Sequence, residues 1–170
     1  MIYPDRDVME DLLALLIEVE DKMKQLYLSF SSLFSRLPEI CSFWERMAFH
    51  ELRQAHLLIG ARDLLKHADF PGAIAISLDR LQELSQMISR SVAEAKKGVP
   101  LSQAFAMALE LERQEAELPW MMLTALGKAT MEEALHDLHG PEHGHLSQLE
   151  EMTRRFSGSE NPGKPKGECG

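Results

Sequence analysis

Cysteine, aromatic residues and long apolar runs are all scarce in this sequence of 170 residues. The two cysteines, Cys41 and Cys169, form no CxxC pair, which argues against a thiolate zinc site or a disulfide framework. We therefore expect a reducing, cytoplasmic location. Aromatic residues make up only 6% of the chain, and this composition favours helices over a β-sandwich. No run of about 18 apolar residues occurs, so no membrane association is predicted.

Basic residues are also in short supply. The chain has 18 Lys and Arg against 27 Asp and Glu, which gives a formal net charge of −9. An acidic surface argues against nucleic acid as a main partner, and it tolerates the binding of cations. The length suits one domain with a sizeable hydrophobic core.

Apolar residues at alternating steps of three and four predict five amphipathic helical segments. These segments cover approximately residues 6–34, 38–66, 76–97, 101–126 and 130–156. Gly98 and Pro100 mark the end of the third segment and the start of the fourth. Residues 157–170 are rich in Gly, Pro, Ser and charge, and they predict a disordered tail after a single domain of residues 1–156.

Each of the four long segments carries a carboxylate in the middle of its apolar stripe. The stripes include Leu16, Glu20, Met23 and Tyr27; Met47, Glu51, Gln54 and Leu58; Ala108, Glu112, Glu115 and Met122; and Leu138, Glu142, His145 and Leu149. A single Glu in such a place more often leans towards solvent than binds a ligand. Four repeats are harder to dismiss, because burying unpaired carboxylates costs several kcal/mol each. These carboxylates need protons or cations.

The spacing along the chain predicts that the carboxylates share one layer. Glu20 and Glu51 are equidistant from the break between the first two segments. Glu112 and Glu142 are equidistant from Gly127. Two antiparallel hairpins would therefore place the two carboxylates of each pair at the same height along the helices. The third segment can span about 33 Å at the usual helical rise, which is enough to return the chain along the bundle and leave the second and fourth segments parallel.

This ordered set resembles the ferritin-like superfamily, and within it the rubrerythrin-type proteins. Their pattern is a Glu on the first helix, Glu-x-x-His on the second, Glu on the third and Glu-x-x-His on the fourth. The resemblance is carried by the stretches EVEDKMKQLY, HELRQA, ALELERQEAEL and PEHGHL, and it covers about residues 7–156. It implies an all-α fold, a ferritin-like four-helix bundle with an additional crossover helix.

The resemblance also implies two bound iron ions, with manganese or zinc as substitutes, and oxygen or peroxide as the substrate. Two adjacent dications need several anionic oxygens, and Glu-x-x-His presents both groups on one helix face. By resemblance, Glu51 and Glu142 would bridge the two metals. Glu20 would bind one metal, and Glu112 and His145 would bind the other.

One position departs from the family pattern, because Gln54 stands where a His is expected. An amide oxygen is a weak neutral ligand, so the metal nearer the second helix lacks its imidazole. His50 and His56 are not expected to replace it. Glu115, one turn beyond Glu112, is a candidate compensating ligand; the alternative interpretation is a charge at the edge of the bundle.

Two function classes remain open. The first is a di-iron oxidoreductase of the ferroxidase or peroxidase type, acting in oxidative stress or iron handling. In this case Tyr27 would hydrogen-bond near the centre. Electrons would come from an external donor protein or from iron itself, since the chain has no rubredoxin-like CxxC pair. The second class is non-enzymatic: an iron-binding module, or a structural bundle with a degenerate metal centre. We expect a homodimer or larger homo-oligomer.

Overall fold

A computed structural model describes residues 6–65, 76–115, 118, 121–122 and 145–157, and it assigns no strand to them. Those residues form the helices α1 (Arg6–Leu33), α2 (Pro38–Leu65), α3 (Leu78–Ala95), α4 (Leu101–Glu115) and α5 (His145–Ser157). Leu118 and Met121–Met122 are helical as well. The predicted all-α class is confirmed for this part of the chain. The predicted start of the last helix lies outside the described residues.

The connection between α1 and α2 is short and internally hydrogen-bonded. The Leu37 N–H donates to the Phe34 carbonyl at 2.9 Å, and the Cys41 N–H donates to the Leu37 carbonyl at 2.9 Å. Pro38 is the first residue of α2, a position where its missing N–H costs no helical hydrogen bond. The break predicted before Pro38 is therefore a tight helix–helix turn.

α1 and α2 form an antiparallel hairpin, as the spacing predicted. Close to the turn, Ser31 Oγ lies 3.3 Å from Cys41 Sγ. Further from the turn, the Tyr27 ring stacks on Trp44 with the ring centroids 5.5 Å apart. Contacts therefore pair earlier residues of α1 with later residues of α2.

The ends of α3 follow local signals in the sequence. Ser77 caps its N-terminus, because the Ser77 side chain accepts a hydrogen bond from the Arg80 N–H at 3.1 Å. α3 therefore begins two residues later than predicted. At the other end, Gly98 has a φ of +93°, and its N–H donates to the Ala95 carbonyl at 3.0 Å. Pro100 directly precedes α4, which begins at Leu101 as predicted.

The helices pack so that α1 contacts α2 and α3, while α4 contacts α3 and α5. α2 and α4 run in the same direction. The Trp44 and Phe105 rings are 5.0 Å apart, and seven residues further along each helix Glu51 and Glu112 come together again. Because the second contact lies seven residues later in both helices, α2 and α4 are parallel, as the spacing along the chain predicted.

A polar contact ties α3 to α1 at the edge of the core. Lys22 Nζ donates to Ser85 Oγ at 2.7 Å, and Ser85 Oγ donates to Glu18 Oε1 at 3.1 Å. Lys22 also pairs with Glu18 at 2.6 Å, and the hydrogen bond from Lys22 lowers the pKa of the Glu18 carboxyl. The buried Ser85 hydroxyl therefore both accepts and donates a hydrogen bond.

An aromatic cluster fills the core between the α1–α2 turn and the layer of carboxylates. Trp44 lies at its centre and contacts four other rings, with centroid distances of 4.9 to 5.5 Å: Tyr27, Phe30, Phe43 and Phe105. All five side chains are buried. Truncating one such ring to Ala typically lowers the free energy of unfolding by about 3–5 kcal/mol, so this cluster stabilises the core next to the layer of carboxylates.

Candidate metal centre

Four carboxylates and one imidazole meet in the middle of the bundle, one or two from each of four helices. Glu20 lies on α1, Glu51 on α2, Glu112 and Glu115 on α4, and His145 at the start of α5. The four Glu residues are buried, none with more than 1% of its surface exposed. Glu112 and Glu115 are three residues apart, so both face the same side of α4.

These five residues fall into two groups that share Glu51. We call Glu51, Glu112 and His145 the imidazole subsite, and Glu20, Glu51 and Glu115 the carboxylate subsite. Within each subsite, one ligand atom from every residue lies within 4.8 Å of the others. This limit is slightly more than twice the usual metal–oxygen distance of about 2.1 Å, so small side-chain movements would bring the atoms around one ion.

Most of the carboxylate oxygens in these subsites have no hydrogen-bond partner within the part of the chain that the structure describes. The unpartnered and fully buried atoms are both oxygens of Glu20, both oxygens of Glu51, Glu112 Oε2 and Glu115 Oε1. Leaving one buried acceptor unsatisfied costs about 1–3 kcal/mol, and more when it is charged. A cation between the carboxylates would satisfy all of these atoms at once.

Among the described residues, the Tyr27 hydroxyl donates a hydrogen bond to the cluster. Its Oη donates to Glu112 Oε1 at 2.5 Å, with both groups buried. The Tyr27 ring also stacks on Trp44, and this contact holds the ring in place. Tyr27 was predicted to bond near the centre, and the structure identifies its acceptor as Glu112. The buried Trp44 Nε1 has no hydrogen-bond partner among the described residues.

His145 turns one ring nitrogen towards two of the carboxylates. Its Nδ1 lies 3.3 Å from Glu51 Oε1 and 3.4 Å from Glu112 Oε1. On its other side, the His50 ring meets His145 edge-on with the ring centroids 5.0 Å apart. The sequence analysis gave His50 no role in the site. A signal was present, because His50 lies four residues before Gln54 and shares its side of α2.

Mutual repulsion in a dry site raises the carboxyl pKa values. Burial is the largest cause for Glu20, Glu51 and Glu115, and the negative charge of neighbouring carboxylates adds to it. The pKa of Glu115 rises to about 7. Without a cation, the cluster therefore keeps protons that exposed carboxyls would lose.

The basic and phenolic groups respond to the same negative charge. Burial alone would lower the pKa of His145, but the contact with Glu112 and the charge of Glu51 outweigh it and raise that pKa to about 9. Burial and the charge of Glu112 raise the pKa of Tyr27 well above its usual value. In the metal-free protein His145 thus acts as a counter-charge for the carboxylates.

The structure brings together five of the six metal ligands predicted from the sequence. Glu142, predicted as a bridging ligand, lies outside the described residues. Glu115, predicted as a compensating ligand, belongs to the carboxylate subsite, next to Glu20 and Glu51. Gln54 is half-buried, one turn after Glu51 on α2.

Comparison with known proteins adds no identification. No protein-family model, no curated protein and no solved structure matches this chain. Among the described residues, no helix is both long and apolar enough to cross a bilayer. The function is therefore inferred from the geometry of the site and from the resemblance of the sequence to the rubrerythrin-type pattern.

Proposed function

We propose that this chain is a rubrerythrin-type, ferritin-like di-iron protein that reacts with oxygen or peroxide. The observation that carries the proposal is the pair of three-residue subsites sharing Glu51, in which six buried carboxylate oxygens accept no hydrogen bond from the described residues. A bundle that only needed stability would gain from apolar residues at these positions, because buried and uncompensated charges are costly.

The helix arrangement is compatible with this class of fold. Four of the helices each contribute to the cluster, and α2 and α4 run parallel. In the proposed bundle, α3 is the additional helix that returns the chain between the two hairpins. α1 and α2 form the first hairpin, and α4 and α5, which contact each other, belong to the second.

The donor set fits iron. Carboxylate oxygens with one imidazole nitrogen suit iron or manganese, and no thiolate lies in the cluster to favour zinc. Glu51, shared by the two subsites, is positioned to bridge two ions. Two bound irons would supply the electrons that reduce oxygen or peroxide.

The chain's own residues would prepare the site for this chemistry. Tyr27 would hold the Glu112 carboxylate in place through the hydrogen bond from its Oη to Oε1. His145 Nδ1 faces Glu51 and Glu112, the position from which it would coordinate. The four buried glutamates exclude bulk water and strengthen electrostatic interactions inside the site.

A second candidate function follows from Gln54. Without an imidazole from α2, the chain would bind iron for storage or delivery, or keep a degenerate centre in a structural bundle. In either case we expect a cytoplasmic homodimer or larger homo-oligomer. An enzyme of the first kind would draw electrons from an external donor protein or from iron itself.

Anaerobic reconstitution with iron(II) tests the proposal. We expect two iron ions per chain and, after addition of oxygen or hydrogen peroxide, a new near-ultraviolet absorbance with consumption of the oxidant. Glu51→Ala should lose most of the iron, while the exposed Glu110→Ala on α4 serves as the matched control and should keep it. Iron that binds without consuming oxidant favours the second function. An absence of bound iron after reconstitution would overturn both the enzymatic and the iron-binding proposals.

A further inference from the structure

A buried tyrosine and a buried tryptophan form a continuous contact that starts at the imidazole subsite. The Tyr27 Oη donates a hydrogen bond to Glu112 Oε1 at 2.5 Å. The Tyr27 ring stacks on Trp44 with the ring centroids 5.5 Å apart and the ring planes inclined by 19°. Both side chains are buried. Phenol and indole are the two aromatic side chains that lose an electron most readily, so this pair can supply charge to the site as well as hold Glu112.

A second electron donor is needed whenever the centre holds a single iron ion. A centre that binds two iron ions passes through a one-iron state while it is being filled. Hydrogen peroxide takes up two electrons and two protons when it is reduced to two molecules of water. One iron(II) gives only one electron, so without a second donor in contact with the site the reaction stops at a hydroxyl radical.

Buried methionines beside the cluster would be damaged by such a radical. Met23 lies one turn from Glu20 and Met47 lies one turn from Glu51, and both methionines are buried. Oxidation turns the apolar thioether of methionine into a polar sulfoxide, which disrupts a packed core. A side chain that donates an electron at the site before a hydroxyl radical is released would protect this core.

We propose that Tyr27 donates the second electron in the one-iron state and that Trp44 shares the resulting radical. Iron(II) and Tyr27 each lose one electron. Peroxide takes both electrons and two protons from solvent, its O–O bond breaks, and two molecules of water leave. The phenol proton moves along the hydrogen bond to Glu112 Oε1, so Tyr27 becomes a neutral phenoxyl radical.

The stacked indole extends this donor by one step. When an electron passes from Trp44 to the Tyr27 radical, the proton returns from Glu112 and an indole radical cation remains on Trp44. Direct stacking of the two rings allows this transfer without an intervening group. The inference rests on the proposed function, because it requires iron bound at the cluster.

Electron paramagnetic resonance of the unmodified chain tests the inference without a substitution in the core. Metal-free protein is loaded anaerobically with one equivalent of iron(II), mixed with hydrogen peroxide and frozen rapidly. We expect an organic-radical signal whose shape changes when the protein contains ring-deuterated tyrosine, and changes again with ring-deuterated tryptophan. Loading with two equivalents of iron(II) should weaken this signal, because two iron ions supply both electrons.

Substitutions of the two rings separate electron donation from a purely structural role. Tyr27→Phe should lose the radical signal, and a spin trap should detect more hydroxyl radical than in the original chain. Peptide mass spectrometry should then find more sulfoxide at Met23 and Met47. Trp44→Phe should give a purely tyrosyl signal, because the hydrogen bond from Tyr27 to Glu112 does not involve the indole.

The other tyrosine and the other tryptophan of the sequence provide matched controls. Tyr3→Phe and Trp120→Phe remove the same chemical groups elsewhere in the chain and should leave the radical signal unchanged. Elemental analysis and circular dichroism ensure that variants of equal iron content and equal helicity are compared. Loss of the signal in either control would assign the radical to another residue and contradict the proposal.

The remaining outcomes distinguish this inference from the proposed function. A chain that binds iron and consumes peroxide without an aromatic radical would overturn the inference and leave the proposed function intact. Equal release of hydroxyl radical from the original chain and from Tyr27→Phe would do the same. A Trp44→Phe spectrum identical to that of the original chain would overturn the role of Trp44. A chain that binds no iron would overturn the proposed function itself.

Discussion

At the scale of single residues, the division of the buried cluster into two subsites depends on the rotation of α4 about its axis. Glu20, Glu51 and Glu112 occupy the middle of helical stripes whose other members are apolar, and all three are buried. The partners of Glu115 depend on how α4 is rotated about its axis, and a change of one residue moves a side chain by about 100°. That rotation is set by packing between helices, which the local sequence does not encode.

Gln54→His tests the alignment of α2 with the metal ions. Position 54 lies one turn after the shared Glu51, and imidazole is a stronger ligand than an amide. We expect the affinity for the second metal to rise about tenfold or more, which corresponds to about 1.4 kcal/mol. Anaerobic titration with iron(II), followed by calorimetry, compares the variant with the original chain. Identical stoichiometry and affinities in the two proteins would mean that residue 54 does not face the ions.

Tyr27→Phe tests the hydrogen bond to Glu112. The substitution removes only the hydroxyl, so the ring can still stack on Trp44. Because a hydrogen bond to a charged acceptor contributes about 1.5–3 kcal/mol, we expect a loss of that order in the free energy of unfolding of the metal-free protein. Urea denaturation measures it. Phe30→Leu alters ring packing on Trp44 without removing the hydrogen bond to Glu112, and it serves as the control for packing. Unaltered stability in Tyr27→Phe would show that the bond contributes nothing.

At the scale of helices, boundaries marked by local signals were predicted to within one or two residues. The end of α1, the start of α2 at Pro38 and the start of α4 at Leu101 all follow such signals. α3 is shorter than predicted because Ser77 caps it and Gly98 turns the chain after it. The directions of the helices depend on contacts between distant residues. These helix directions could be predicted only from the spacing of the carboxylates, which indicates that each pair lies at the same height along its two helices.

A pair of glycine substitutions tests the end of α3. Gly98 has a φ of +93°, whereas Gly60 lies within α2, and an added Cβ would meet nothing within 4 Å at either position. Gly98→Ala should therefore destabilise the protein by about 1–2 kcal/mol, because L-residues are strained in the left-handed region. Gly60→Ala should stabilise it by about 0.5–1 kcal/mol through the helix propensity of Ala. Thermal unfolding of both variants measures this, and a stabilising Gly98→Ala would contradict the assigned backbone.

At the scale of the whole molecule, the buried cluster makes the bundle sensitive to its cation content. Glu20, Glu51, Glu112 and Glu115 occupy the interior of a protein that already carries a net charge of −9. The aromatic cluster on one side and the apolar stripes on the other have to stabilise this layer when no ion is bound. A metal that binds only the folded state adds stability in proportion to its affinity and concentration.

The pH dependence of the metal-free protein tests this coupling. The pKa of Glu115 in the folded protein is about 7 against an ordinary value of 4.5, so its contribution to stability is complete below pH 4.5 and is lost as the pH rises through 7. The pKa of His145 is about 9 against 6.5, so its contribution is complete below pH 6.5 and is lost as the pH rises through 9. Both groups act in the same direction.

We therefore expect the melting temperature of the metal-free protein to fall as the pH rises from 5 to 9. The hydrogen bond from Lys22 lowers the pKa of Glu18, so the effect of Glu18 on stability has the opposite sign. That effect is confined to pH values below the ordinary Glu pKa of 4.5, which lie outside this range. Metal-loaded protein should show a weaker or reversed trend, since metal ions compete with protons for the same ligands. Glu115→Gln should flatten the curve between pH 5 and 7, because its amide does not titrate. Calorimetry across this range measures each curve, and a metal-free protein that becomes more stable from pH 5 to 9 would show that the cluster is already neutralised without a cation.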